Sequence, residues 1–242
     1  HLQVWAVLFQ HLLGAGLGRL LKMDRDTALL TSIGSSICGA AAVLGAEPVV
    51  KSKPYKAAVA VSTVVIFGTL SMFLYPALYR AGMLNLTTEQ MGLFTGGTLH
   101  EVAHVVGAGN AMGQAISDPA IIVKMIRVMM LAPVLVILSI ILARRDSAAG
   151  GNSEKRKITI PWFAFLFLAV IGFNSLHLLP AELVDAINTL DTFLLTMAMT
   201  ALGAESSFEK FKKAGARPFL LAGLLYVWLF FGGYWLVKLI SF

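Results

Sequence analysis

The chain has 242 residues, 57% hydrophobic and 13% charged, with a formal net charge of +6 and a mean hydropathy of +0.79. An ordinary soluble domain carries about 25% charged residues, so a water-soluble fold of this composition would expose large apolar patches and aggregate. The positive balance is no nucleic-acid footprint: Lys51, Lys53, Lys56, Arg144, Arg145, Lys155, Arg156, Lys157, Lys210, Lys212, Lys213 and Arg217 stand at the ends of apolar runs, as the positive-inside bias places them. The single cysteine, Cys38, excludes an internal disulfide and any multi-cysteine metal site.

A transmembrane helix needs about 20 apolar residues, and eight hydrophobic segments follow one another at 2–21, 27–50, 56–79, 90–110, 120–143, 159–179, 183–205 and 217–240. Open strands cannot cross lipid with unpaired backbone groups. The expectation is an all-α integral membrane protein with about eight transmembrane segments in this chain. The polar stretch Arg144–Lys157 predicts a cytoplasmic loop and divides the chain into 1–143, 144–158 and 159–242. The start at His1 predicts further sequence before it.

Segment 27–50 carries Gly34-Ser35-Ser36-Ile37-Cys38-Gly39, a run that favours an interrupted helix. The half-helix after such a break presents free N–H groups and a positive dipole end, which suit an anion. The bland alternative is close packing through small residues. Segment 56–79 is an uninterrupted apolar span. Segment 90–110 carries Gly96-Gly97-Thr98-Leu99-His100-Glu101-Val102-Ala103-His104. Ionisable groups inside a membrane are expensive and mark a functional site by default. Glu101 beside histidines could carry a proton within a physiological range. The same residues match H-E-x-x-H, so an intramembrane zinc metalloprotease is the alternative, with Asp118, His177 or Asp191 as third ligand. Segment 183–205 adds Asp191, Thr192 and Thr196, and segment 159–179 adds Asn174, whose role is an interhelical hydrogen bond.

Leu44-Gly45-Ala46-Glu47 recurs 158 residues later as Leu202-Gly203-Ala204-Glu205, and the same offset superposes 2–21 on 160–179 and 56–79 on 214–237. Five intervening segments would invert the second copy, as in secondary transporters. The first copy would then be incomplete at its N-terminus. Basic loops after both Glu47 and Glu205 oppose inversion, and a re-entrant 90–110 would put both on the cytoplasmic face without it; the register over three segments favours inversion.

Several of these stretches resemble the YeiH-type family of sulfate exporters: Gly34–Ala42, Glu47-Pro48-Val49-Val50, Val64–Gly68, His100-Glu101-Val102-Ala103, Arg127–Pro133 and Asp191–Leu194. The resemblance implies membership of the bile-acid symporter and cation–proton antiporter superfamily, an inverted-repeat transporter fold, and two discontinuous crossing helices at 27–50 and 183–205. Relatives commonly have Gln where this chain has His104, which weighs against zinc.

The resulting expectation is a secondary active transporter exporting a small anion such as sulfate, sulfite or an organosulfonate by alternating access. It is not an enzyme, and it needs no cofactor or metal. Gly34, Ser35, Ser36, Cys38, Gly39, Thr98, His100, Glu101, His104, Asp191, Thr192 and Thr196 form the candidate substrate-binding set, with Glu101 and His100 handling a coupled proton. The expected partners are the anion, H+ or Na+, the lipid bilayer and a second copy in a homodimer, without nucleic acid. The expected location is the bacterial inner membrane. A channel or membrane scaffold is a third reading.

Overall fold

The computed structural model describes residues 2–148, 162–176, 178–205 and 215–239, and every element among them is helical. The sequence builds these helices with ordinary end signals. After α1 (Leu2–Leu20), the Asp24 side chain caps α2 (Arg25–Ser36) by accepting from the Thr27 N–H. Following α3 (Ala40–Val50), Lys51 adopts a left-handed cap and α4 (Pro54–Arg80) begins on Pro54, whose missing N–H costs nothing at a helix start. Thr87 and Gln90 form a reciprocal capping box on α5 (Thr88–Thr98).

The remaining helices are α6 (Val102–Met112), α7 (Gln114–Met129), α8 (Leu131–Ala148), α9 (Trp162–Ser175), α10 (Ala181–Glu205) and α11 (Ala216–Leu239). One apolar core gathers α2, α3, α4 and α8 around Leu30, Ile33, Ala46, Ala60 and Leu135. A second joins the end of α4 to α5, α6, α7 and α11 around Tyr75, Phe94, Leu99, Val105 and Ile116. Helices α5 and α7 touch most closely. A Cβ on Gly96 would stand 2.1 Å from the Ala120 carbonyl oxygen, so that glycine permits backbone contact rather than a break.

The expectation of about eight transmembrane segments is overturned. Among the described residues three helices are long and apolar enough to cross a membrane: Pro54–Arg80, Gln114–Ala143 and Ala216–Leu239. The second of these runs through Met130, whose backbone stays helical. Segments 27–50 and 90–110 are each interrupted, giving helices of 11 or 12 residues. At 1.5 Å per residue these reach about 17 Å, against a hydrocarbon core of about 30 Å. Helix α9 has 14 residues, and α10 carries Glu182, Asp185, Asp191 and Glu205.

The inverted repeat falls with that count, because its inversion rested on five intervening spans. The two copies also differ locally. Segment 27–50 breaks at Gly39, but the residue 158 positions on is Met197, and α10 is continuous there. Segment 183–205 is therefore not the second discontinuous helix of a crossing pair; the second interruption is in 90–110. Of the loop expected at 144–158, α8 extends to Ala148 and the rest lies outside the described residues.

Candidate functional site

The two interruptions lie against each other. The first comprises Ile37, Cys38 and Gly39 between α2 and α3; the second comprises Leu99, His100 and Glu101 between α5 and α6. Gly39 has φ +71°, a conformation open to glycine and strained for other residues. A Cβ there would also lie 2.3 Å from Glu101 Cγ. Leu99 and Glu101 need no glycine, because both are extended.

A broken helix leaves carbonyls unsatisfied at the end of its first half and N–H groups at the start of its second. The matching partial charges are negative and positive. Both halves of this problem are answered by charged side chains. Lys124 Nζ of α7 donates to the carbonyls of Ile37 (3.0 Å), Leu99 (2.8 Å) and His100. One turn on, Arg127 donates to the carbonyls of Ser36 (2.6 Å) and Gly97. Each cation thus bridges both breaks. At the positive end, Glu101 Oε1 accepts from the Ala40 N–H at the start of α3, 3.1 Å away. Lys124, Arg127 and Glu101 are 0, 3 and 6% exposed, and burying isolated charges is prohibitive unless such partners exist.

Beside this electrostatic frame sits a group of polar atoms without protein hydrogen-bond partners: both ring nitrogens of His100, Glu101 Oε2 and His104 Nδ1. Glu101 Oε2 lies 3.7 Å from His104 Nδ1, and His104 Nε2 is 3.3 Å from Thr69 Oγ1. The His100 ring faces Tyr226 of α11, with centroids 6.3 Å apart. Gly68 of α4 makes room for them, since a Cβ there would come within 2.5 Å of His104 Nδ1.

Of the residues predicted from sequence, Gly39, His100, Glu101 and His104 meet in this cluster. The Ser36 carbonyl joins it through Arg127, while its hydroxyl donates to the Ile33 carbonyl. Ser35 is fully buried; its carbonyl accepts from Gln10 and its hydroxyl has no protein partner. Cys38 is a buried free thiol. Gly34 is a packing position, since a Cβ would stand 2.6 Å from Val43 Cγ2. Thr98 donates to the Phe94 carbonyl and pairs with the Tyr75 hydroxyl at 2.9 Å. Asp191, Thr192 and Thr196 are exposed on α10, where both threonine hydroxyls bond the carbonyl one turn back. Lys124 was not anticipated, although a lysine and an arginine three apart inside an apolar segment were the available signal.

The zinc pattern requires two histidines one helical turn apart on a continuous helix. Here α5 ends at Thr98 and α6 begins at Val102, so His100 and His104 share no such face. Among the described residues no group of three or more His, Cys, Asp or Glu is placed to hold a metal. His177 lies outside the described residues.

Three membrane-length apolar helices around a buried charged centre define a multi-pass α-helical membrane protein. Residues 1–222 match the family described as Conserved hypothetical protein 698. The chain is 68% identical over 229 residues to a UPF0324 membrane protein of Bacteroides thetaiotaomicron, covering 94% of this chain and 68% of that protein. It is 55% identical over 222 residues to a UPF0324 membrane protein of Bordetella bronchiseptica, covering 91% and 69%. With the UPF0324 inner membrane protein YeiH of Escherichia coli K12 it shares 53% identity over 216 residues, covering 89% and 61%. The chain belongs to the UPF0324 (YeiH) family of membrane proteins, and it spans about two thirds of the length of these relatives. No solved structure matches it.

Proposed function

We propose that this protein is a secondary active transporter in the bacterial inner membrane, exporting a small anion such as sulfate, sulfite or an organosulfonate by alternating access. The observation that carries the reading is the buried centre itself: two cations and one carboxylate, with unpartnered imidazole and carboxylate atoms beside them. Ionisable groups sheltered in a membrane bundle are costly and are kept where they serve a passenger or its proton. Two cations against one carboxylate favour an anionic passenger. The anion's site is built from the two interrupted segments, with Ser35, Ser36 and the surrounding backbone as ligands. Glu101, tuned by His100 and His104, carries the coupled proton.

Asp191, Thr192 and Thr196 belong to the proposal as a second polar surface contributed by α10. So do the homodimer, the cytoplasmic placement of 144–158 and kinship with the bile-acid symporter and cation–proton antiporter superfamily. The name of the Escherichia coli relative supports the inner-membrane location. The test is counterflow of radiolabelled sulfate and sulfite in proteoliposomes. Saturable uptake stimulated by unlabelled anion on the opposite side is the expected result. Flux that never saturates would make the protein a channel, and no flux of any tested oxyanion or sulfonate would remove the transport reading.

A further inference from the structure

Lys124 and Arg127 hold the carbonyl ends of α2 and α5, yet the N-terminal end of α3 is held by a carboxylate that belongs to the other break. That end is where free N–H groups and the helix dipole favour an anion. Glu101 Oε1 stands in that position. Its second oxygen has no protein hydrogen bond, with His104 Nδ1 3.7 Å away, and neither ring nitrogen of His100 has one, although Glu101 is 6% and His100 1% exposed. A carboxylate fixed for structure alone would use both oxygens, since each orphaned buried polar atom costs about 1–3 kcal/mol.

We propose that the Glu101 carboxylate is a resident stand-in for the transported oxyanion, and that the two are alternative ligands of the α3 N-terminus. The inference rests on the transport reading and specifies how its proton is coupled. Two negative groups at one short N-terminus repel, so the passenger takes the Ala40 N–H only after a proton has neutralised Glu101 and released it. The groups around Glu101 are Lys124 from α7, His104 from α6, His100 beside it in the chain and Cys38 from the first break; Arg127 holds the nearby Ser36 carbonyl, and the Tyr226 ring lies against His100. The two cations stay engaged with carbonyls throughout, and the incoming oxyanion takes the place of the single charge that Glu101 loses. Each anion bound therefore takes up one proton at Glu101. The Gly39 contact supports the exchange, because the missing Cβ lets the Glu101 stem lie directly over the start of α3.

The experiment is equilibrium binding and counterflow of radiolabelled sulfate and sulfite by the whole protein in proteoliposomes, from pH 5 to pH 9, with the pH slope read on sulfate, which stays a dianion throughout while sulfite itself titrates. For the wild type, affinity is expected to weaken about tenfold per pH unit once Glu101 is ionised, as one-proton linkage requires. Glu101→Gln is expected to bind across the range with that slope abolished, because its amide cannot acquire the competing charge. Glu101→Asp, which keeps the charge on a shorter stem, is expected to retain a slope at a displaced midpoint. It also serves as the informative variant if the glutamine protein does not fold. A Glu101→Gln protein with the wild-type slope, or a Glu101→Asp protein with none, overturns the exchange while leaving transport standing. Wild-type protein that binds neither anion at any pH removes the transport reading and this inference with it.

Discussion

The two interruptions meet in one place but are built by different means. The first is a backbone device: Gly39 turns the chain at a positive φ, and neither Ile37 nor Gly39 brings a charge. The second is a side-chain device: Leu99 and Glu101 simply extend, and the break supplies two ionisable groups, His100 and Glu101. The first break therefore offers bare backbone ends, and the second offers the carboxylate that fills one of them. The ionisable group is therefore not the group that bends the chain.

The largest expected effect removes what joins the two. Lys124→Met keeps length but deletes a cation shared by both breaks, leaving three buried carbonyls without their donor. Stability should fall by about 3–5 kcal/mol, the range for stripping one partner from a buried charged cluster. Hydrogen exchange should accelerate at residues 36–42 and 97–103 together; acceleration at one break alone would show that the two are not mechanically joined.

Next come the glycines, which separate the two devices directly. Gly39→Ala meets both a positive φ and the Glu101 Cγ, and should cost about 2 kcal/mol or more. Combining it with Glu101→Ala should recover the steric share and leave the backbone share of about 1–2 kcal/mol. Gly97→Ala, in the turn before the second break, meets nothing within 4 Å. It should be neutral or slightly stabilising, by up to about 1 kcal/mol. Equal losses at the two positions in thermal unfolding would erase the distinction drawn between the breaks.

This asymmetry explains what could be read from the sequence. The Gly-Ser run at 34–39 favoured an interrupted helix, with close packing as the other use of such a run; both occur, since Gly39 lies in the break and Gly34 packs against Val43. His100 and Glu101 marked a candidate site, because charge inside such a segment is costly. That the two would touch was not legible, since Ala40 and Glu101 are 61 residues apart and no local pattern encodes the pairing. The N-terminus of α3 was expected to suit an anion; among protein atoms its partner is the Glu101 carboxylate. The number of membrane-length helices was over-read for a related reason. Hydropathy averages across a segment and does not register a break in its middle, so 27–50 and 90–110 each looked long enough to span. Lys124 and Arg127 were legible as charges in an apolar segment, but their role depends on carbonyls that only become free when two other helices end nearby.

The smallest effect tests whether charge outside the centre matters comparably. Asp24 caps α2 and lies 2.6 Å from Lys56 Nζ. Its modest burial pushes the carboxyl up, but the Lys56 and Thr27 contacts outweigh that and leave it below the ordinary carboxylate value. A carboxylate depressed in the folded state adds stability above its unfolded value, and that contribution is lost as pH falls through the folded one. Asp24 is half exposed and Asp26 also reaches Lys56, so screening and redundancy hold the contribution to about 0.5 kcal/mol. Asp24→Asn preserves an N-cap and removes only the charge. Its unfolding midpoint should sit slightly below wild type at pH 7 and converge with it as pH drops below 4. Divergence that widens toward acid pH would mean the ion pair is not what Asp24 contributes.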